Sequence, residues 1–158
     1  MTMKKTIFAL AALAIMAWGC SSDNDSSPAP QPPTPSTPTE IPAGTDVRPT
    51  WQAPNYDLYD QTMTVEVLLQ DTLLPYATAN DLMAVMADSE VRGISTPVPY
   101  EGQWIFPFIV ASNNGGEPLS LSYYCDKLHR IFTIEWTRFD ATVPPTGEDG
   151  IYKPIFIK

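Results

Sequence analysis

Residues 28–42 read Pro-Ala-Pro-Gln-Pro-Pro-Thr-Pro-Ser-Thr-Pro-Thr-Glu-Ile-Pro, and that run decides which part of the chain can fold. Proline fixes φ and donates no backbone hydrogen bond, so neither a helix nor a sheet ladder survives such a density of it. Residues 20–45 are therefore expected as a disordered, Pro-rich linker, extended and semi-rigid. At ~3.1 Å per residue the linker lifts whatever follows by up to ~70 Å. Residues 46–158 remain to form the domain, about 115 residues, the size of one core and not of two. The chain has two cysteines, Cys20 and Cys125. With Cys20 in the linker, the domain contains no disulfide and must be stable through apolar burial.

Ahead of the linker, Lys4 and Lys5 precede an apolar run over residues 7–17, and Gly19 stands directly before Cys20. A basic start, a short apolar stretch and a small residue make residues 1–19 an export signal. The run is shorter than the ~20 residues that a spanning helix needs. Gly19-Cys20 resembles the lipobox of bacterial lipoproteins, departing from it in the bulk of Trp18. The resemblance implies cleavage between Gly19 and Cys20, attachment of lipid (palmitate among the acyl chains) to Cys20, and residence at the outer membrane. Ser21-Ser22-Asp23-Asn24-Asp25-Ser26-Ser27 resembles the surface-export signal of Bacteroidetes lipoproteins, which implies a cell-surface position. The plainer reading of the same residues is a solvated spacer, and the alternative to the surface position is the periplasmic face. Asp23 and Asp25 lack the further ligands and shaping glycine of a calcium loop.

Losing residues 1–19 removes Lys4 and Lys5 from nine basic residues, leaving seven against eighteen acidic ones, a net charge of −11. Nucleic acid is excluded as a partner, because its phosphates require a basic patch. Adhesion to anionic lipid heads fails for the same reason. Membrane attachment then falls to the lipid, and more than one acyl chain makes it stable.

From residue 46 onward, short apolar runs alternate with turn signals. Residues 62–70 place Met63, Val65, Val67 and Leu69 on one face and Thr62, Thr64, Glu66 and Gln70 on the other, a half-buried strand. Residues 71–80 connect. Residues 82–87 are apolar on both faces and short, which predicts a central strand with residues 91–95 as its hairpin partner. Residues 103–111 are the most apolar run, and Pro107 gives that strand an edge side or a bulge. Asn113-Asn114-Gly115-Gly116 is a strong turn. Residues 118–125 alternate Leu119, Leu121, Tyr123 and Cys125 against Ser120, Ser122 and Tyr124. Asp126-Lys127 is expected to turn the chain into residues 128–136, which carry Phe132, Ile134 and Trp136 on one face. Residues 151–157 close the domain, with Ile151, Ile155 and Ile157 on one side. Seven or eight short strands without an amphipathic helix predict an all-β fold, a single antiparallel sandwich that is Ig-like in architecture only.

The stretch from Asp81 to Ile94, with Glu90-Val91-Arg92-Gly93 as its sharpest piece, resembles a β-sandwich repeat of Bacteroidetes surface proteins. In that repeat a strand ending near Ala-Phe is followed by a turn and Glu-Cys-Arg-Gly-Val. The likeness covers roughly residues 50–136 and departs at Val91, where cysteine is common. It implies an accessory module of adhesion or cell-surface proteins and brings no catalytic residues.

Several constellations invite chemistry. Glu90 and Arg92, two apart on a strand, share a face and suit a carboxylate or sugar acid through the guanidinium fork. The commoner use of such a pair is to bridge neighbouring strands, with Gly93 relieving a close approach. Cys125 and His129 are the one thiol–imidazole combination in the domain. Alternation puts Cys125 on the apolar face, and a two-residue turn would set His129 opposite Tyr124, so a nucleophilic pair is not expected. Zinc lacks ligands. The carboxylate pairs Asp57/Asp60 and Glu148/Asp149 fall in loops and read as solvated acids. Aromatics are the stronger lead, because sugar C–H faces stack on exposed rings. Trp51, Tyr56 and Tyr59 ahead of the first strand, and Tyr100 in an expected loop just before Trp104, are candidates, against core packing for Trp104 and Trp136. Asp71-Thr72-Leu73 resembles a Bacteroidetes O-glycosylation sequon, with Thr72 as acceptor.

These readings lead to a lipid-anchored, non-catalytic β-sandwich that binds a glycan or a surface protein, without cofactor or metal. The alternative from another class is a structural accessory subunit of an outer-membrane or fimbrial assembly.

Overall fold

The computed structural model describes residues 40–147 and 150–157. The leader, Gly19 and Cys20, the acidic run, the proline tract up to residue 39 and the Glu148/Asp149 pair lie outside the described residues. Among the described residues eight strands form: β1 (Gln61–Leu68), β2 (Leu82–Ala87), β3 (Glu90–Ser95), β4 (Val98–Tyr100), β5 (Gln103–Ser112), β6 (Pro118–Cys125), β7 (Arg130–Arg138) and β8 (Ile151–Tyr152). They make two four-stranded sheets, β4-β5-β1-β8 and β3-β2-β6-β7. The fold is an all-β sandwich.

The core lies between the sheets and follows from the period of two. Met63, Val65 and Val67 of β1 meet Leu119, Leu121, Tyr123 and Cys125 of β6, with Phe106, Phe108 and Val110 of β5 beside them. β2 is buried on both faces as expected: Met83 and Val85 point into the core, while Leu82 and Ala84 point away yet stay buried. Outward-facing Tyr124 is buried too. The N-terminal segment accounts for this, since the Arg48 guanidinium lies 5.8 Å from the Tyr124 ring. That segment is tied down well before Asp46. Ile41 packs against the core, its N–H donates to the Tyr76 hydroxyl, and the Gly44 N–H donates to the Leu128 carbonyl at 2.8 Å.

Gly93 sits where β3 passes under β5, and a Cβ there would stand 2.6 Å from the Ile109 carbonyl oxygen. The close approach expected of that glycine is thus between the two sheets. Pro107 lies in β5 beyond the stretch paired with β4, and Pro107 faces Glu66 across the ladder.

Four expectations need correction. The turn between β6 and β7 has four residues, not two: Cys125 pairs with Arg130 and Tyr124 with Ile131. His129 therefore belongs to the turn, exposed and at φ 47°, and does not face Tyr124. Buried Leu128 explains the longer turn, because it inserts into the core. Secondly, Tyr100 is in β4 and not in a loop, joined to β5 by a two-residue turn in which Glu101 (φ 45°) and Gly102 (φ 78°) are both left-handed. Two positive φ values match strand twist in a tight hairpin. Thirdly, the last strand is two residues long and parallel to β1. Pro154, two residues on, cannot donate to a ladder, and Ile155 turns out to solvent at 63 % exposure. Finally, Gln70 is not on an outward strand face. β1 stops at Leu68, and Gln70 is buried, its amide N–H donating to the Ile157 carbonyl while its oxygen accepts from the Phe156 and Ile157 N–H groups.

Candidate functional site

The six candidate binding residues divide among three places. Tyr59, Glu90 and Arg92 come together; Trp51 and Tyr56 lie half-buried along the N-terminal segment; Tyr100 stands alone at the far hairpin.

Arg92 owes its position to a β-bulge. Val85 pairs with Gly93 but Met86 with Val91, so Arg92 is the extra residue, and a bulge re-aims its side chain. Nε and Nη2 donate to the two Glu117 oxygens at 3.0 and 2.8 Å. Nη1 donates to the Tyr59 hydroxyl at 2.8 Å and lies 2.9 Å from Glu90 Oε2. The Tyr59 hydroxyl in turn donates to Glu90 Oε1, and its ring lies 5.2 Å from the guanidinium carbon. Ser112 donates to Glu117 at 2.7 Å. The Arg92 and Ser112 hydrogen bonds hold the Glu117 carboxyl below its ordinary range, outweighing burial. Arg92 itself is held still more firmly in its charged form, chiefly by Glu117. Its fork is thus occupied from within, and the bridging reading of the pair is the one the geometry bears out. Asn113 is occupied as well, accepting from the Asp60 N–H and donating to the Leu58 carbonyl. The cluster clamps the start of β1 to β3 and to the β5–β6 turn.

Tyr56 donates its hydroxyl to the Ile109 carbonyl at 3.2 Å, covering the free side of β5. Tyr100, 42 % exposed, is different. It borders a hollow of about 470 Å³ across one end of the β4-β5-β1-β8 sheet, shared with Glu101, Gln103, Tyr152 and Lys153. Lys153 pairs with Asp71 at 2.5 Å, and no side chain bonds Glu101 among the described residues. Glu101-Gly102 was the available signal for this hairpin. Tyr152 and Glu101 were not foreseen as site residues.

Cys125 is fully buried, its thiol donating to the Tyr76 carbonyl at 3.6 Å, and burial pushes it up from the ordinary thiol range. It faces the core whereas His129 faces solvent, so the two do not act together. Trp104 and Trp136 pack against the core, each half-buried. Thr72 is exposed and accepts a hydrogen bond from the Gln70 amide, beside exposed Asp71 and buried Leu73. Asp57 and Asp60 are exposed in the segment before β1. Among the described residues no three His, Cys, Asp or Glu side chains gather as a metal site.

No protein-family model matches the chain, and no curated protein or solved structure matches it.

Proposed function

We propose that this protein is a lipid-anchored module of the outer membrane, exposed at the cell surface, whose β-sandwich binds a glycan without transforming it. The observation that carries the binding reading is the Tyr100 hollow. An exposed ring at the tip of a rigid hairpin offers an apolar face to sugar C–H groups, and Glu101 and Gln103 beside it take and give hydrogen bonds to hydroxyls. A hairpin fixed by its own ladder presents the ring without a large ordering cost on binding. The anchoring reading rests on the residues around Gly19 and Cys20.

A soluble form beginning at residue 20, with Cys20→Ser, is expected to be retained on at least one of a panel of immobilised glucan, xylan, mannan and galactan. Tyr100→Ala should weaken retention on the order of tenfold, the worth of one stacked ring. Unchanged retention of Tyr100→Ala would place the binding surface elsewhere. For the anchor, labelled palmitate should enter the wild-type chain expressed with its leader and not the Cys20→Ser chain. Equal labelling of the two would dispose of the lipoprotein reading.

A further inference from the structure

Two more hollows continue from the Tyr100 site. One, of about 550 Å³, is bordered by Tyr152 and Lys153, which it shares with the Tyr100 hollow, and by Ile134, Glu135 and Ile155. The next, of about 530 Å³, shares Glu135 and adds Trp136, Asp88, Ser120 and Arg138. The shared residues Tyr152, Lys153 and Glu135 set the three hollows side by side along one path, from Tyr100 past Tyr152 to Trp136. The Trp136 and Tyr152 rings are 5.9 Å apart, tilted by 51°.

Trp136 reaches this path because β7 bulges there. Ser120 pairs with Glu135 but Leu119 with Thr137, leaving Trp136 as the extra residue. Its indole N–H is buried and has no acceptor among the described residues. The charged groups along the path are not equally free. Arg138 donates to the Gly116 carbonyl and Lys153 is held by Asp71, while Glu101, Glu135 and Asp88 have no ion-pair partner among the described residues. Available acceptors thus lie beside three aromatic side chains, Tyr100 exposed and Tyr152 and Trp136 half-buried against the core.

We infer that the three joined hollows are consecutive subsites for a linear, neutral oligosaccharide, bound along its length between Tyr100 and Trp136. This deepens the glycan reading and rests on it. Hydroxyl-rich units without acid groups suit free carboxylates, which accept from hydroxyls and repel uronates. A chain of pyranoses also presents repeated apolar faces to rings set in a row.

The test uses the soluble Cys20→Ser chain and oligomers of two to six units, made from whichever neutral polysaccharide of the panel retains it. Polygalacturonate oligomers of the same lengths serve as the charged comparison. Affinity should rise about tenfold for each unit that gains a charge-assisted hydrogen bond, then level off once the path is filled. Glu135→Ala should abolish the gain from longer oligomers, Trp136→Phe, which keeps a ring and loses the indole N–H, should reduce it, and both should leave binding of the two-unit oligomer as it was. A two-unit oligomer that binds as tightly as a six-unit one, or a length dependence untouched by both substitutions, would overturn the extended path and leave the Tyr100 site standing. Tighter binding of polygalacturonate would overturn neutrality. Failure of every polysaccharide, neutral and charged, would remove the glycan reading itself.

Discussion

Replacing Asp81 by alanine should lower the unfolding midpoint by about 12 °C or more, the equivalent of roughly 3–4 kcal/mol in a domain of this size. Asp81 is fully buried just before β2. One carboxylate oxygen accepts from the Tyr123 hydroxyl at 2.5 Å and the Thr78 N–H at 3.0 Å. The other accepts from the Thr78 hydroxyl at 2.8 Å and the Asp126 N–H at 3.0 Å. A single side chain therefore satisfies four donors drawn from the segment before β2, the middle of the core and the β6–β7 turn. Alanine leaves donors buried without partners, and each such group costs about 1–3 kcal/mol. Burial, with the Asp81 hydrogen bond next, pushes the Tyr123 phenol far above its ordinary range, so it remains a donor at any accessible pH. Tyr123→Phe removes one donor and leaves three, and should cost only about 1–1.5 kcal/mol. Thermal unfolding of both variants, followed by circular dichroism, checks the order. A milder loss for Asp81→Ala than for Tyr123→Phe would mean that water or backbone shifts replace the carboxylate.

The contrast between Asp81 and the strands around it shows what the chain displays openly. β1 and β6 were legible because burial on a pleated strand repeats every two residues, and Met63-x-Val65-x-Val67 or Leu119-x-Leu121-x-Tyr123 has no other economical reading, whereas β2 was legible from its brevity and its apolar residues on both faces. Asp81 carries no such period. In Thr78-Ala79-Asn80-Asp81 it has the composition of a solvated turn, and its burial depends on Tyr123, more than forty positions away. The same holds for Gln70, whose partners are at the C-terminal end, and for β8, which finds β1 only through the fold. Bulges are the other blind spot. One extra residue in β3 and one in β7 re-aim Arg92 and Trp136, and alternation counted along the chain cannot register them. Of the candidate ligand residues, Tyr100 was legible as an aromatic near a turn. Glu101 and Gln103 belong to its own hairpin, but Tyr152 and Lys153 reach the hollow from the C-terminal end of the domain, so that meeting is a property of topology.

Arg92→Ala should cost about 3 kcal/mol, between the small worth of an exposed ion pair and the larger penalty for stranding a buried charge. The Arg92 and Glu117 side chains are 11 % and 14 % exposed, and they meet through two parallel hydrogen bonds. Removing the guanidinium leaves the Glu117 carboxylate with Ser112 alone, and leaves Tyr59 held to β3 only by its hydrogen bond to Glu90. The double variant Arg92→Ala/Glu117→Ala should be less damaged than the two single losses added together, with a coupling of about 1.5–2 kcal/mol. Acid provides a second readout. Glu117 in the folded protein is held below its ordinary value of 4.5, with the Arg92 hydrogen bond as the largest cause. The stability this supplies is fully present above about pH 4.5 and is lost as pH falls through the lower native value. Wild type should therefore lose stability on that acid limb, and Arg92→Ala should lose less of it, having little left there to lose. If instead Arg92→Ala melted like wild type with an unchanged acid limb, while glycan retention disappeared, the guanidinium would be a ligand group. The clamp would then have no part in holding the sandwich together.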